Sequence, residues 1–141
     1  MTSKALHTLL RLSLAFIWLW TGLVVLFLAP MADSLALIAP LRLPEWLATY
    51  LIQATAIFEL FMGIAMIANW RVRIWAAVQI FLIMAFTLII TIFLPAQWLH
   101  PFGPISKNIP LLAATIVLYT WEKRREQRED NVYSFHSDLD A

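Results

Sequence analysis

The sequence predicts an all-α integral membrane protein: a four-helix bundle with both termini in the cytoplasm and a short interfacial helix between helices one and two. Three observations carry that reading. Hydrophobic residues make up 62% of the 141-residue chain and charged residues 13%, where a soluble domain carries about 25% charged. The uncharged stretches are long and are separated by polar or proline-rich segments. Lys4, Arg11, Arg71, Arg73, Lys123, Arg124, Arg125 and Arg128 fall on one side of the spans so defined, Arg42 and Lys107 on the other. The positive-inside rule places the richer side in the cytoplasm.

Helix one is expected over about residues 10–28, inside an uncharged run at 12–32, since roughly 20 residues span the hydrocarbon core. A cleaved signal peptide fits worse. The apolar stretch is long and tryptophan-rich, and Pro30 would stand at the −3 position of a cut after Ala32. Pro30, Pro40 and Pro44 then interrupt the chain. Between them Asp33 and Ser34 can cap a short helix bearing Leu35, Leu37, Ile38 and Leu41, too short to span. Helix two is expected over 46–68, and a polar turn at Asn69, Arg71 and Arg73 makes it an antiparallel neighbour of helix three, 74–94.

The proline-rich stretch 96–108 reads as a loop at the membrane surface. Helix four, 104–121, is expected to start at Pro104, a favoured first-turn residue, and to loosen at Pro110. Trp46, Trp70, Trp98 and Trp121 lie near the expected helix ends, as interfacial anchors do. The chain thus divides into a membrane domain, 1–122, and a polar cytoplasmic tail, 123–141, expected to stay helical for a turn or two and then to become disordered. The tail's basic run, 123–128, could touch anionic lipids, yet it is interspersed with acids and reads as an ordinary solvated end.

Glu59 is the residue that most invites a function. It stands near the middle of helix two, where a carboxylate costs a few kcal/mol or more and marks a candidate site. Thr55 and Gly63 lie four residues to either side, so the three share a narrow face expected to look into the bundle. That face reads either as a proton carrier or ligand grip, or as a packing contact with Glu59 hydrogen-bonded to a neighbouring helix. His100, Lys107 and Asn108 form a second polar group on the outer side. Lys107 or His100 would have to fold inward to meet Glu59, about 20 Å down its helix; otherwise the loop is a proline-stiffened turn facing headgroups. Trp18 could line a cavity or simply pack. Thr21, Gln53, Gln79, Thr87 and Thr91 are expected to form interhelical hydrogen bonds. The absence of cysteine excludes disulfides and thiolate chemistry. His7, His100 and His136 show no metal-ligand spacing, and no nucleotide or nucleic-acid motif is present.

Trp18-Leu-Trp-Thr-Gly22, Glu59-Leu-Phe-Met-Gly63 and, above all, His100-Pro-Phe-Gly-Pro-Ile-Ser-Lys-Asn-Ile-Pro110 resemble the DoxX-like family of small four-helix bacterial membrane proteins. The resemblance implies a bacterial inner-membrane location. It also implies association with quinone-dependent redox proteins, since some relatives accompany thiosulfate:quinone oxidoreductase. It assigns no reaction. The expected function is an accessory or ligand-binding subunit linked to that chemistry, with Glu59, Gly63, His100, Lys107, Asn108, Thr55 and Trp18 around a quinone-like or lipid-like small molecule. Two alternatives stay open: a small proton-coupled transporter using Glu59, and a structural membrane partner without ligand. Membrane lipids, a redox protein and a second copy of the chain are the expected partners; nucleic acid and metal are not.

Overall fold

The computed structural model describes residues 2–99 and 105–139, apart from the side chains of 133 and 136–139. The long helices there are α1 (Ser3–Leu23), α2 (Met31–Ile38), α3 (Glu45–Ile67), α4 (Val72–Phe93) and α5 (Asn108–Leu139). Three segments, Ser3–Leu28, Glu45–Ile67 and Val72–Phe93, are long and apolar enough to cross a membrane.

Helix α1 begins earlier than residue 10, because Thr2 caps it by accepting the Ala5 N–H at 3.3 Å. At its far end it widens into a π turn over Val24–Leu28, where the Ala29 N–H reaches the Val24 carbonyl at 2.8 Å before Pro30 ends the ladder. Pro30 itself is the cap residue of α2. Asp33 therefore lies in the first turn, favourable against the helix dipole, and does not cap as expected. Helix α3 closes on a Schellman motif: the Trp70 N–H bonds the Ala65 carbonyl at 3.0 Å and the Asn69 N–H bonds Met66 at 3.2 Å. Asn69 takes the left-handed conformation, φ 57°, which asparagine tolerates better than most residues.

Helix α5 departs from expectation at both ends. It starts at Asn108, four residues after Pro104. Pro110 thereby falls in the first turn, where its missing N–H costs nothing, so it initiates the helix instead of loosening it. The helix then continues to Leu139, well past Trp121. The expected loss of order in the tail is corrected for residues up to 139. Glu, Lys, Arg and Gln are strong helix formers, and Arg125 pairs along the helix with Glu122 at 3.2 Å and Glu129 at 3.7 Å.

Helix α1 lies along α3, α4 along α5, and the two pairs meet through α1 and α5. The α1–α3 crossing is set by two glycines. A Cβ on Gly22 would stand 2.7 Å from the Ala56 carbonyl oxygen, and one on Gly63 would stand 3.1 Å from that of Ala15. Small residues spaced seven apart on each helix thus face each other in antiparallel register. The expected α3–α4 contact forms through Phe58, Phe61, Trp70 and Trp75 beside their turn. The polar ends gather at one end of the molecule. His7 bonds Glu122, Arg11 donates to the Met66 and Ile67 carbonyls, and Arg73 bonds Glu126 at 2.6 Å.

Candidate functional site

A cluster of Trp18, Met62 and Ile83, with Trp75 packed against it, occupies the interior where α1, α3 and α4 meet. Trp75, Gln79 and Ile83 follow at four-residue intervals on α4 and share one face. Gln79 is fully buried, and Trp18 is only 5% exposed. Among the described residues, neither the Gln79 Nε2 nor its Oε1 has a hydrogen-bond partner, and the same holds for the indole Nε1 of Trp18 and of Trp75. A buried polar group left unpaired costs about 1–3 kcal/mol. Four such atoms on three side chains are therefore a concentration of unmet hydrogen bonding inside an apolar interior. Chemically they offer indole and amide N–H donors and one amide acceptor.

Glu59 stands one turn before Met62 on α3 and is half-buried. Its carboxyl lies within electrostatic reach of the Thr21 side chain of α1. The Thr21 hydroxyl donates to the Ile17 and Trp18 carbonyl oxygens, each at 3.1 Å, so Glu59 faces the stretch of α1 that carries the Trp18 indole. Gly63, one turn further along α3, is filled by close packing, its Cβ position lying 2.5 Å from Leu19 Cγ. It contributes approach between helices. Thr55 is half-buried on the same face, one turn before Glu59.

The outer group is arranged separately. Asn108 Nδ2 donates to the Thr87 hydroxyl at 2.9 Å, and Thr87 in turn donates to the Ile83 carbonyl at 2.6 Å. Trp98 Nε1 donates to Thr91 at 3.1 Å. Lys107 is exposed in the turn before α5 and makes no ion pair among the described residues. The inward fold of Lys107 over Glu59 is not what the structure shows, because the late start of α5 keeps Lys107 outside the helix. His100 lies outside the described residues.

Sequence reasoning placed Gln79 among interhelical hydrogen bonds, and the structure leaves it unpaired. It passed over Trp75 altogether, although the Trp75–Gln79 spacing on an apolar helix was the available signal. Nor does the sequence single out Glu122, the last residue before the polar tail, yet that carboxylate is 2% exposed.

The sequence profile of the DoxX-like family matches residues 15–116, a stretch containing Trp18, Glu59, Trp75 and Gln79. No curated protein and no solved structure matches the chain.

Proposed function

The chain belongs to the DoxX-like family, and on that premise we propose that it is an accessory, ligand-binding subunit of the bacterial inner membrane, linked to quinone-dependent redox chemistry. In this reading the apolar first half of α5 is a fourth span, completing a four-helix bundle with both termini in the cytoplasm. The observation that carries the proposal is the set of unpaired polar atoms on Trp18, Trp75 and Gln79.

Those residues suit a quinone-like molecule. Its ring is apolar and its carbonyl oxygens only accept hydrogen bonds, whereas the two indoles and the carboxamide supply N–H donors. The surrounding Met62 and Ile83 exclude water, which strengthens each such bond. When bound, a quinone supplies the capacity to take up two electrons and two protons. The chain's own contribution is to hold the polar head, keep water out, and keep a carboxyl group at Glu59, close to the Trp18 segment through Thr21.

Native mass spectrometry with identification of co-purifying small molecules tests this on wild type, Gln79→Leu and Glu59→Gln. Leucine removes the unpaired amide without opening a large cavity. Gln79→Leu should therefore fold as well as wild type or gain about 1–3 kcal/mol, while losing the bound molecule. Glu59→Gln should weaken its retention. If wild type and both variants carry only bulk phospholipid, the ligand-binding reading falls. Proton release on adding a lipophilic cation would then test Glu59 as an exchanging group.

A further inference from the structure

A cleft of about 350 Å³ opens between the first turn of α1 and the middle of α5, lined by Ser3, Val117, Thr120, Trp121, Arg124, Arg125 and Arg128. Residues 117, 120, 121, 124 and 128 recur at helical spacing, so they form one face of α5. That face is graded along the helix. Val117 is apolar and half exposed, Thr120 and Trp121 are amphipathic, and Arg124 and Arg128 are cationic. No acidic side chain lines the cleft.

The neighbouring cations are committed elsewhere. Arg125 pairs with Glu122 and Glu129, Arg73 with Glu126, and Arg11 with carbonyls of α3. Arg124 and Arg128 have no ion pair or hydrogen-bond partner among the described residues. The acids that intersperse the basic run in sequence are sorted by the helix onto other faces. The start of α1 adds to the positive field: Ser3 is its first residue, its first turn carries no acid, and the helix N-terminus presents free N–H groups. A second basic cleft of about 280 Å³, with Lys4 and Arg11, adjoins the first through Ser3, Trp121 and Arg125.

Depth matches a lipid. Trp121 ends the uncharged stretch of α5. Arg124 lies about 4.5 Å and Arg128 about 10 Å further along the axis at 1.5 Å per residue. The headgroup region of one leaflet begins where the apolar stretch ends and is several Å deep. A ligand matching this grading has an anionic phosphate at the arginines and a hydrocarbon chain at Val117. We propose that this cleft is a binding site for one anionic phospholipid, its phosphate held by Arg124, Arg128 and the Ser3 end of α1, its acyl chain lying along Val117. The site is separate from the interior group at Gln79 and does not depend on it.

The test uses the full chain in mild detergent with equimolar dioleoyl phosphatidylglycerol and dioleoyl phosphatidylcholine, read by native mass spectrometry. Wild type should retain one phosphatidylglycerol in preference to phosphatidylcholine. Each arginine removed should cost roughly fivefold in that preference, so Arg124→Gln/Arg128→Gln should lose about 25-fold. Lys123→Gln makes the same charge change on the same helix outside the cleft and should lose less than twofold. Both arginines are exposed, so melting should match wild type; the single variant Arg128→Gln provides a milder reading of the same site. Equal retention of the two lipids by wild type would overturn the proposal. So would a loss in Lys123→Gln as large as in Arg128→Gln, which would mean diffuse charge. A third arm adds inorganic phosphate at millimolar concentration: unchanged lipid retention supports a lipid site, whereas full displacement would assign the arginines to free phosphate and overturn it.

Discussion

Gly22→Ala is expected to destabilise the protein by about 2–3 kcal/mol, although alanine is the better helix former by about 1 kcal/mol. The opposition of those signs makes the experiment sharp. The new methyl would stand 2.7 Å from the carbonyl oxygen of Ala56 and 2.9 Å from Leu60 Cγ. The first obstacle is backbone, so relief requires moving α1 away from α3. Gly63→Ala meets mainly a side chain, Leu19 Cγ at 2.5 Å and Cδ2 at 2.8 Å, with the Ala15 carbonyl oxygen at a tolerable 3.1 Å. Truncating Leu19 should make room. Leu19→Ala/Gly63→Ala should therefore melt well above the sum of its single effects, while Leu60→Ala/Gly22→Ala should stay near additive. Melting temperatures of the purified variants in one detergent measure both cycles. Additivity in the first pair, or wild-type melting of Gly22→Ala, would sink the close crossing.

That crossing explains which parts of the structure could be read in advance. The elements were legible because each is set by local signals. Prolines at 30, 44 and 95 bracket apolar runs, and an Asn69–Trp70 turn falls between the second and third of them. The face of Thr55, Glu59 and Gly63 was also legible, since spacing on a helix is a property of sequence. Which helix that face would meet was not. Gly63 became a packing contact because Leu19 occupies the space beside it, and Glu59 faces Thr21 because the antiparallel register of α1 and α3 sets which residues stand opposite each other. Register depends on side chains from both helices and has no local signature.

The same limit accounts for the interior polar group. Gln79 in an apolar helix invites the expectation of a partner, because buried amides are normally paired. Whether a partner is present depends on what α1, α3 and α5 place opposite it. Here the interior cluster is built from Trp18, Met62, Ile83 and Trp75, and the amide stays unpaired. The tail shows the converse. Its composition resembles a solvated end, and only the proximity of α1 reveals that Glu122 is drawn inside.

Glu122→Ala should accordingly lower stability by about 3 kcal/mol, in the range found when one partner of a buried charged group is removed. The carboxylate is 2% exposed; Oε1 bonds His7 Nε2 and Oε2 meets Arg125 Nη2 at 3.2 Å. Its loss leaves the His7 imidazole, itself little exposed, without that partner and edge-on against the Trp121 ring at 5.6 Å. Glu129→Ala is the matched control, because its pair with the same Arg125 is exposed at 3.7 Å and such pairs contribute about 0–1 kcal/mol. Since His7 and Glu122 share one contact, His7→Ala/Glu122→Ala should cost clearly less than the two single changes together. Loss of this contact also releases the start of α1 from α5. Limited trypsin digestion should therefore cut at Lys123, Arg124 and Arg125 faster in Glu122→Ala than in Glu129→Ala. If the two variants melt alike and are cut alike, Glu122 does not hold the end of the molecule together. The charged half of α5 would then stand on its helix propensity alone.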